Sequence, residues 1–155
     1  MTDVPSPQPE PETDPVAVRP LDMPAIAVGH RGAVLMDAAG LHEALTPAAT
    51  VKRIADGIVP MVCHAPATAR RLNTSAFPAL DLLELFAFVR PAVFCRPTPS
   101  GLADALGLAT PDGLKDEARL LQLAGGALLT ELIRMEPGRA RDLTAETARM
   151  MEAAN

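Results

Sequence analysis

The sequence predicts an α/β fold built as one small mixed sheet with flanking helices and a helical C-terminus. Three observations predict it. Apolar runs of strand length alternate with amphipathic stretches of helix length, no internal repeat breaks the alternation, and 155 residues with 48% hydrophobic side chains suffice for one core.

Residues 1–24 hold seven of the 16 prolines and five acidic side chains, so this stretch is expected to be a disordered Pro-rich acidic tail. The domain is expected over 25–135. In AIAVGHRGAVLMDA, residues 25–38, apolar residues flank Gly29 and Gly32, the pattern of a hairpin. Thr46 is a helix cap with Pro47 in the first position, and the helix it starts places Val51, Ile54 and Ala55 on one face and stops at Gly57. IVPMVCH, residues 58–64, predicts a buried strand in which Pro60 marks an edge or a strand start. APATARRLN, residues 65–73, predicts a helix with Pro66 in its first turn. ALDLLELFAFVRP, residues 79–91, is nearly all apolar and predicts a buried strand leading into a helix that Pro91 ends.

TPSGLADALGL, residues 98–108, has a Thr or Ser cap and a stripe of Leu102, Ala105, Leu106 and Leu108. Residues 115–135 predict a long helix whose apolar face runs from Leu120 to Met135. Gly125 and Gly126 cost that helix about 1 kcal/mol each, which is tolerable if another helix packs closely against them. Residues 136–155 are expected to form a helical linker.

A net charge of −5 excludes a polyanion-binding surface spread over the whole chain and leaves only a local basic patch. With 3% aromatics and no Trp or Tyr, no run of rings is available for stacking single-stranded bases. Cys63 and Cys95 are too few for a disulfide framework or a four-thiolate metal site and read as buried, reduced thiols. No leader pattern or membrane-spanning run is present, so the expectation is a cytoplasmic chain with no membrane partner.

Cys63 and His64 are neighbours on a strand and point to opposite faces, which disfavours a shared metal. His64 reads as a strand-end histidine held by a backbone hydrogen bond. Arg70 and Arg71 are the candidate nucleic-acid contact, weighed against a solvated helix face. Of Asp81 and Glu84, one is expected to cap a helix. No GxxxxGK[ST] loop is present, so ATP is not bound here by that device. No small-molecule substrate is evident.

The segment order from Val62 to Leu132 resembles the second half of DnaQ-like (DEDD) exonuclease domains. VCHAPATARRL is similar to that family's strand-end histidine motif, ALDLLELFAFVRPAVFCRPTPSGLADALGL to its leucine-rich block, and KDEARLLQLAGGALLTEL to its last helix. The resemblance implies a truncated, ribonuclease-H-like fold with degenerate motif positions. His64 matches, Ala69 stands where a metal-binding aspartate belongs, Asp116 where the general-base histidine belongs, and Leu121 where the final aspartate belongs. Asp81 opens the middle block. AIAVGHRGA has no DxE pair, and only about 35 residues separate it from His64. Two-metal phosphodiester hydrolysis needs several carboxylates, so the implied expectation is no catalytic residue and no metal.

LDLLELFAFVRP and PTPSGLADALGL also resemble the N-terminal region of bacterial DinG-type ATP-dependent DNA helicases. That resemblance implies a non-catalytic accessory region, with DNA reached through the parent helicase and with ATP and Mg bound in a downstream core. Residues 136–155 then become a linker toward that core. The alternative is a stand-alone protein-interaction module on an exonuclease-like scaffold.

Overall fold

The computed structural model describes residues 19–135; the expectations for residues 1–18 and 136–155 lie outside the described residues. Strand β1 (Ala25–Val28) and strand β2 (Ala33–Met36) form the predicted antiparallel hairpin, with Ile26 opposite Leu35. The Gly29 amide donates to the Gly32 carbonyl at 2.9 Å. A Cβ on Gly32 would stand 2.9 Å from the Leu45 carbonyl oxygen, so the next strand can approach only a glycine there.

That next strand, β3 (His42–Leu45), is absent from the sequence-based expectation. Its side chains are exposed or half-buried, so HEAL shows no apolar alternation. Backbone pairing with β2 creates it, and the Asp37 carboxylate prepares it by accepting from the Ala39 and Leu41 amides, both at 2.9 Å.

Helix α1 (Pro47–Ala55) starts as predicted, with the Thr46 hydroxyl accepting from the Ala49 amide at 3.2 Å. Strand β4 (Met61–Val62), helix α2 (Ala65–Leu72), strand β5 (Leu80–Asp81) and helix α3 (Leu82–Val89) follow. The sheet order is β3-β2-β1-β4-β5, with β2 antiparallel to both neighbours and β4 and β5 parallel to β1. β4 therefore lies between two strands, which corrects the edge expectation for Pro60; only its strand-start position holds. Proline has no amide to donate, and the Pro60 carbonyl accepts from Leu80 at 2.9 Å.

Both faces of the sheet are covered, which explains why β1 and β2 are apolar at every position. Ile26 and Val28 face one layer with Leu35, Val62 and Leu72, and α1 adds Val51 and Ile54. Ala25 faces the other with Met61, against Leu82 and Phe86 of α3, Leu102 of helix α4 (Pro99–Leu106) and Leu121 and Leu128 of helix α5 (Leu114–Arg134). Arg90, after α3, locks this layer through its guanidinium, which is bidentate to Glu131 of α5 and donates to the Ala105 carbonyl of α4 at 2.8 Å.

Gly125 and Gly126 do not receive another helix. The segment Arg19–Met23 crosses α5 there: a Cβ on Gly126 would overlap the Arg19 carbonyl oxygen, and one on Gly125 would meet the Met61 sulfur at 2.8 Å. The Leu21 amide donates to the Gln122 carbonyl at 2.9 Å, and the buried Gln122 side chain donates to the carbonyls of Met23 and Asp37. The domain boundary expected between residues 24 and 25 thus leaves out a strap that packs on the core. The sequence placed these residues with the tail because Pro20 and Pro24 have no amide to donate, which prevents neither packing nor accepting: the Pro24 carbonyl accepts from the Met61 amide at 2.7 Å.

Candidate functional site

The parallel strands β1 and β4 are adjacent; β1 turns back into β2 along one side of the sheet, and β4 leads through α2 to β5 along the other. A crevice at the carboxyl ends of such a pair is where open α/β sheets place ligands. Here the crevice is a cleft of about 50 Å³. Val28 ends β1 at its rim, and Cys63 and His64 follow β4 into it.

One buried carboxylate sets the geometry of this end of the sheet. Asp81, at the end of β5, caps α3 by accepting from the Leu83 amide at 3.0 Å and the Glu84 amide at 3.3 Å, which is the capping role expected of one of the two acids. Its second oxygen accepts from the Ala65 amide at 2.7 Å, tying in the start of α2. The same oxygen lies 3.2 Å from His64 Nδ1. His64 is therefore held by a carboxylate, which corrects the expected backbone partner. The pairing was hidden because the two residues lie 17 positions apart and meet only when β4 and β5 pair in register, Val62 beside Asp81.

The other candidate residues divide. Arg71 lines the cleft and donates from Nη1 to the Val28 carbonyl at 3.0 Å. Arg70 is exposed and is not among the lining residues: neighbours on a helix are about 100° apart, so the two arginines do not form a clamp. Ala69 is buried away from the cleft. Leu121 is buried at the cleft's floor, whereas Asp116 is exposed and accepts weakly from the Asp112 amide at 3.4 Å. The carboxylate that does line the cleft is Glu117, one turn before Leu121 on α5. The i, i+4 relation to Leu121 was the available signal for it.

Electrostatically the cleft is partly dry. Burial pushes the Cys63 thiol up to about 12, and the Asp81 charge adds to the effect. Both cysteines are free and half-buried rather than buried. Burial also holds the Glu117 carboxyl above the usual carboxylate range, with the Arg71 guanidinium opposing the shift. A thiol this far raised is a poor nucleophile at neutral pH. Among the described residues, no group of three or more His, Cys, Asp or Glu side chains is placed to hold a metal ion.

These features define an open five-stranded mixed α/β sheet with a small polar cleft at the ends of its central parallel strands. No family model, curated protein or solved structure matches the chain. No described helix is long and apolar enough to cross a membrane.

Proposed function

We propose that the chain is a non-catalytic, ribonuclease-H-like accessory region of a DinG-type ATP-dependent DNA helicase, acting in DNA repair or replication. The observation that supports the reading is the sheet: five mixed strands in the order β3-β2-β1-β4-β5, with β2 alone reversed and helices on both faces, are compatible with the fold that the sequence resemblance implies. The cleft supports it further. It sits at the carboxyl ends of β1 and β4, yet its lining offers Ala27, Cys63 and Leu121 beside the lone carboxylate of Glu117. Two-cation hydrolysis needs several such ligands. The two stretches that resemble the helicase family, LDLLELFAFVRP and PTPSGLADALGL, become α3 and α4, which pack against α5 on one side of the sheet. In this reading DNA is handled by the parent polypeptide, and ATP and Mg belong to its downstream core.

The test has two arms. The coding sequence after Asn155 should continue in frame to a phosphate-binding loop of the GxGKT kind; a stop codon directly after Asn155 would favour the rival, a stand-alone interaction module. Val93 and Phe94, adjacent in the segment before α4 and 51% and 84% exposed, are the observation that favours that rival. In the second arm, the purified chain should leave single-stranded DNA intact with magnesium or manganese. Degradation that Glu117→Gln abolishes would overturn the non-catalytic reading. Asp81→Ala is the poorer probe, because Asp81 holds the fold.

A further inference from the structure

We propose that the cleft is an arginine-based site for a phosphoryl group, held by Arg71 at the ends of β1 and β4. The group is either free inorganic phosphate or the terminal phosphate of a DNA strand. The strand as a source rests on the accessory-region reading; the anion site does not.

Arg71 is pinned and underused. Its one hydrogen bond, to the Val28 carbonyl, fixes the guanidinium at the rim, and none of the ion pairs among the described residues involves it. A planar fork of five donors held by one carbonyl has most of its donors left to meet an oxyanion. A further donor lines the cleft from another element. The Thr98 hydroxyl accepts from the Gly101 amide and keeps its own proton to give. Donors on α2 and just before α4 thus line one cleft from two elements, and a phosphoryl group, with three acceptor oxygens to a carboxylate's two, can meet both. The cleft is small, about 50 Å³, which suits one compact group.

Glu117 sets the pH dependence. The charged or titratable groups at the cleft are Arg71 on α2, Cys63 and His64 after β4, and Glu117 on α5, with Asp81 behind His64; the lining from β1 and from the segment before α4 adds none. An ionised Glu117 repels an incoming anion and competes for Arg71. Burial already favours its neutral form, so binding strengthens as the pH falls and Glu117 takes up its proton.

The test is a titration of the full 155-residue chain, followed by amide NMR, with sodium phosphate against sodium chloride at equal ionic strength. Phosphate should shift the amides of Val28, Thr68 and Thr98. Arg71→Gln should weaken binding about tenfold or more, while Arg70→Gln stays within about twofold. Glu117→Gln should tighten binding about threefold or more at pH 7, a change opposite in sign to any loss of fold. Short single strands with and without a terminal phosphate assign the source: a preference of about tenfold for the phosphorylated strand points to DNA, and no preference points to free phosphate. The site is overturned if Arg71→Gln has no effect, if both arginine variants lose equally through diffuse attraction, or if Glu117→Gln does not tighten. Degradation of DNA by the chain would instead remove the accessory-region reading and leave the anion site standing.

Discussion

Asp81 joins three structural units through one side chain that is only 4% exposed: the His64 ring, the first amide of α2 and the first turn of α3. Asp81→Ala strands those donors, and the lost cap adds to the cost, so urea unfolding should show a loss of about 2–4 kcal/mol. Wild-type stability in that variant would remove the carboxylate from this structural role. The thiol nearby makes a second residue-scale prediction. Cys63 is raised from 9.0 to about 12 in the fold, so the folded state holds that proton more tightly than the unfolded chain does. The stability this gives is complete below pH 9 and lost as the pH climbs toward about 12, by at most about 1.4 kcal/mol per unit. The difference in urea midpoint between wild type and Cys63→Ala should therefore shift against wild type above pH 9. Alkylation of Cys63 should likewise keep accelerating past pH 9, where an ordinary thiol levels off. At this scale the sequence showed the cap and the strand-end histidine as separate facts. Their contact depended on strand register.

At the scale of elements, α5 carries a conflict that the structure resolves. Two glycines weaken a helix by about 1 kcal/mol each relative to alanine, so Gly126→Ala taken alone should stabilise. The added methyl would overlap a backbone carbonyl of the Arg19–Met23 strap, which is bonded to α5 and cannot swing aside as a side chain can. Overpacking of this kind costs about 1–3 kcal/mol, so the clash wins and Gly126→Ala should lower the melting temperature. Gly125→Ala meets the Met61 sulfur at 2.8 Å, near the end of a flexible side chain, and the Leu21 side chain at an ordinary contact distance of 3.4 Å, and should cost less. Equal effects at the two positions would contradict this account of the strap. The helices were legible because caps and apolar stripes are local: Thr46, Asp81 and Thr98 all accept from amides of the helices they precede. β3 was not, because an edge strand with exposed side chains is written in backbone pairing alone.

Across the whole molecule, the strap closes the layer formed by α3, α4 and α5. Leu21 and Met23 pack against its core, and Gln122 binds the Met23 carbonyl. A chain beginning at Ala25 should therefore lose about 2–3 kcal/mol, roughly the burial of one large apolar side chain plus a hydrogen bond, measured by urea unfolding against the full chain. No change would show the strap to be incidental. The sequence by itself determined the alternation of strands and helices, the hairpin, the helix starts and the apolar faces, because each is set by neighbours within a turn or two. Only the tertiary structure decided the strand order, the strap across the glycines, the grip of Asp81 on His64 and the choice of Glu117 and Arg71, rather than Asp116 and Arg70, to line the cleft. Those depend on which segments lie side by side, and a side chain's direction changes by about 100° with each helical step, so residues adjacent in sequence end at different places in the fold.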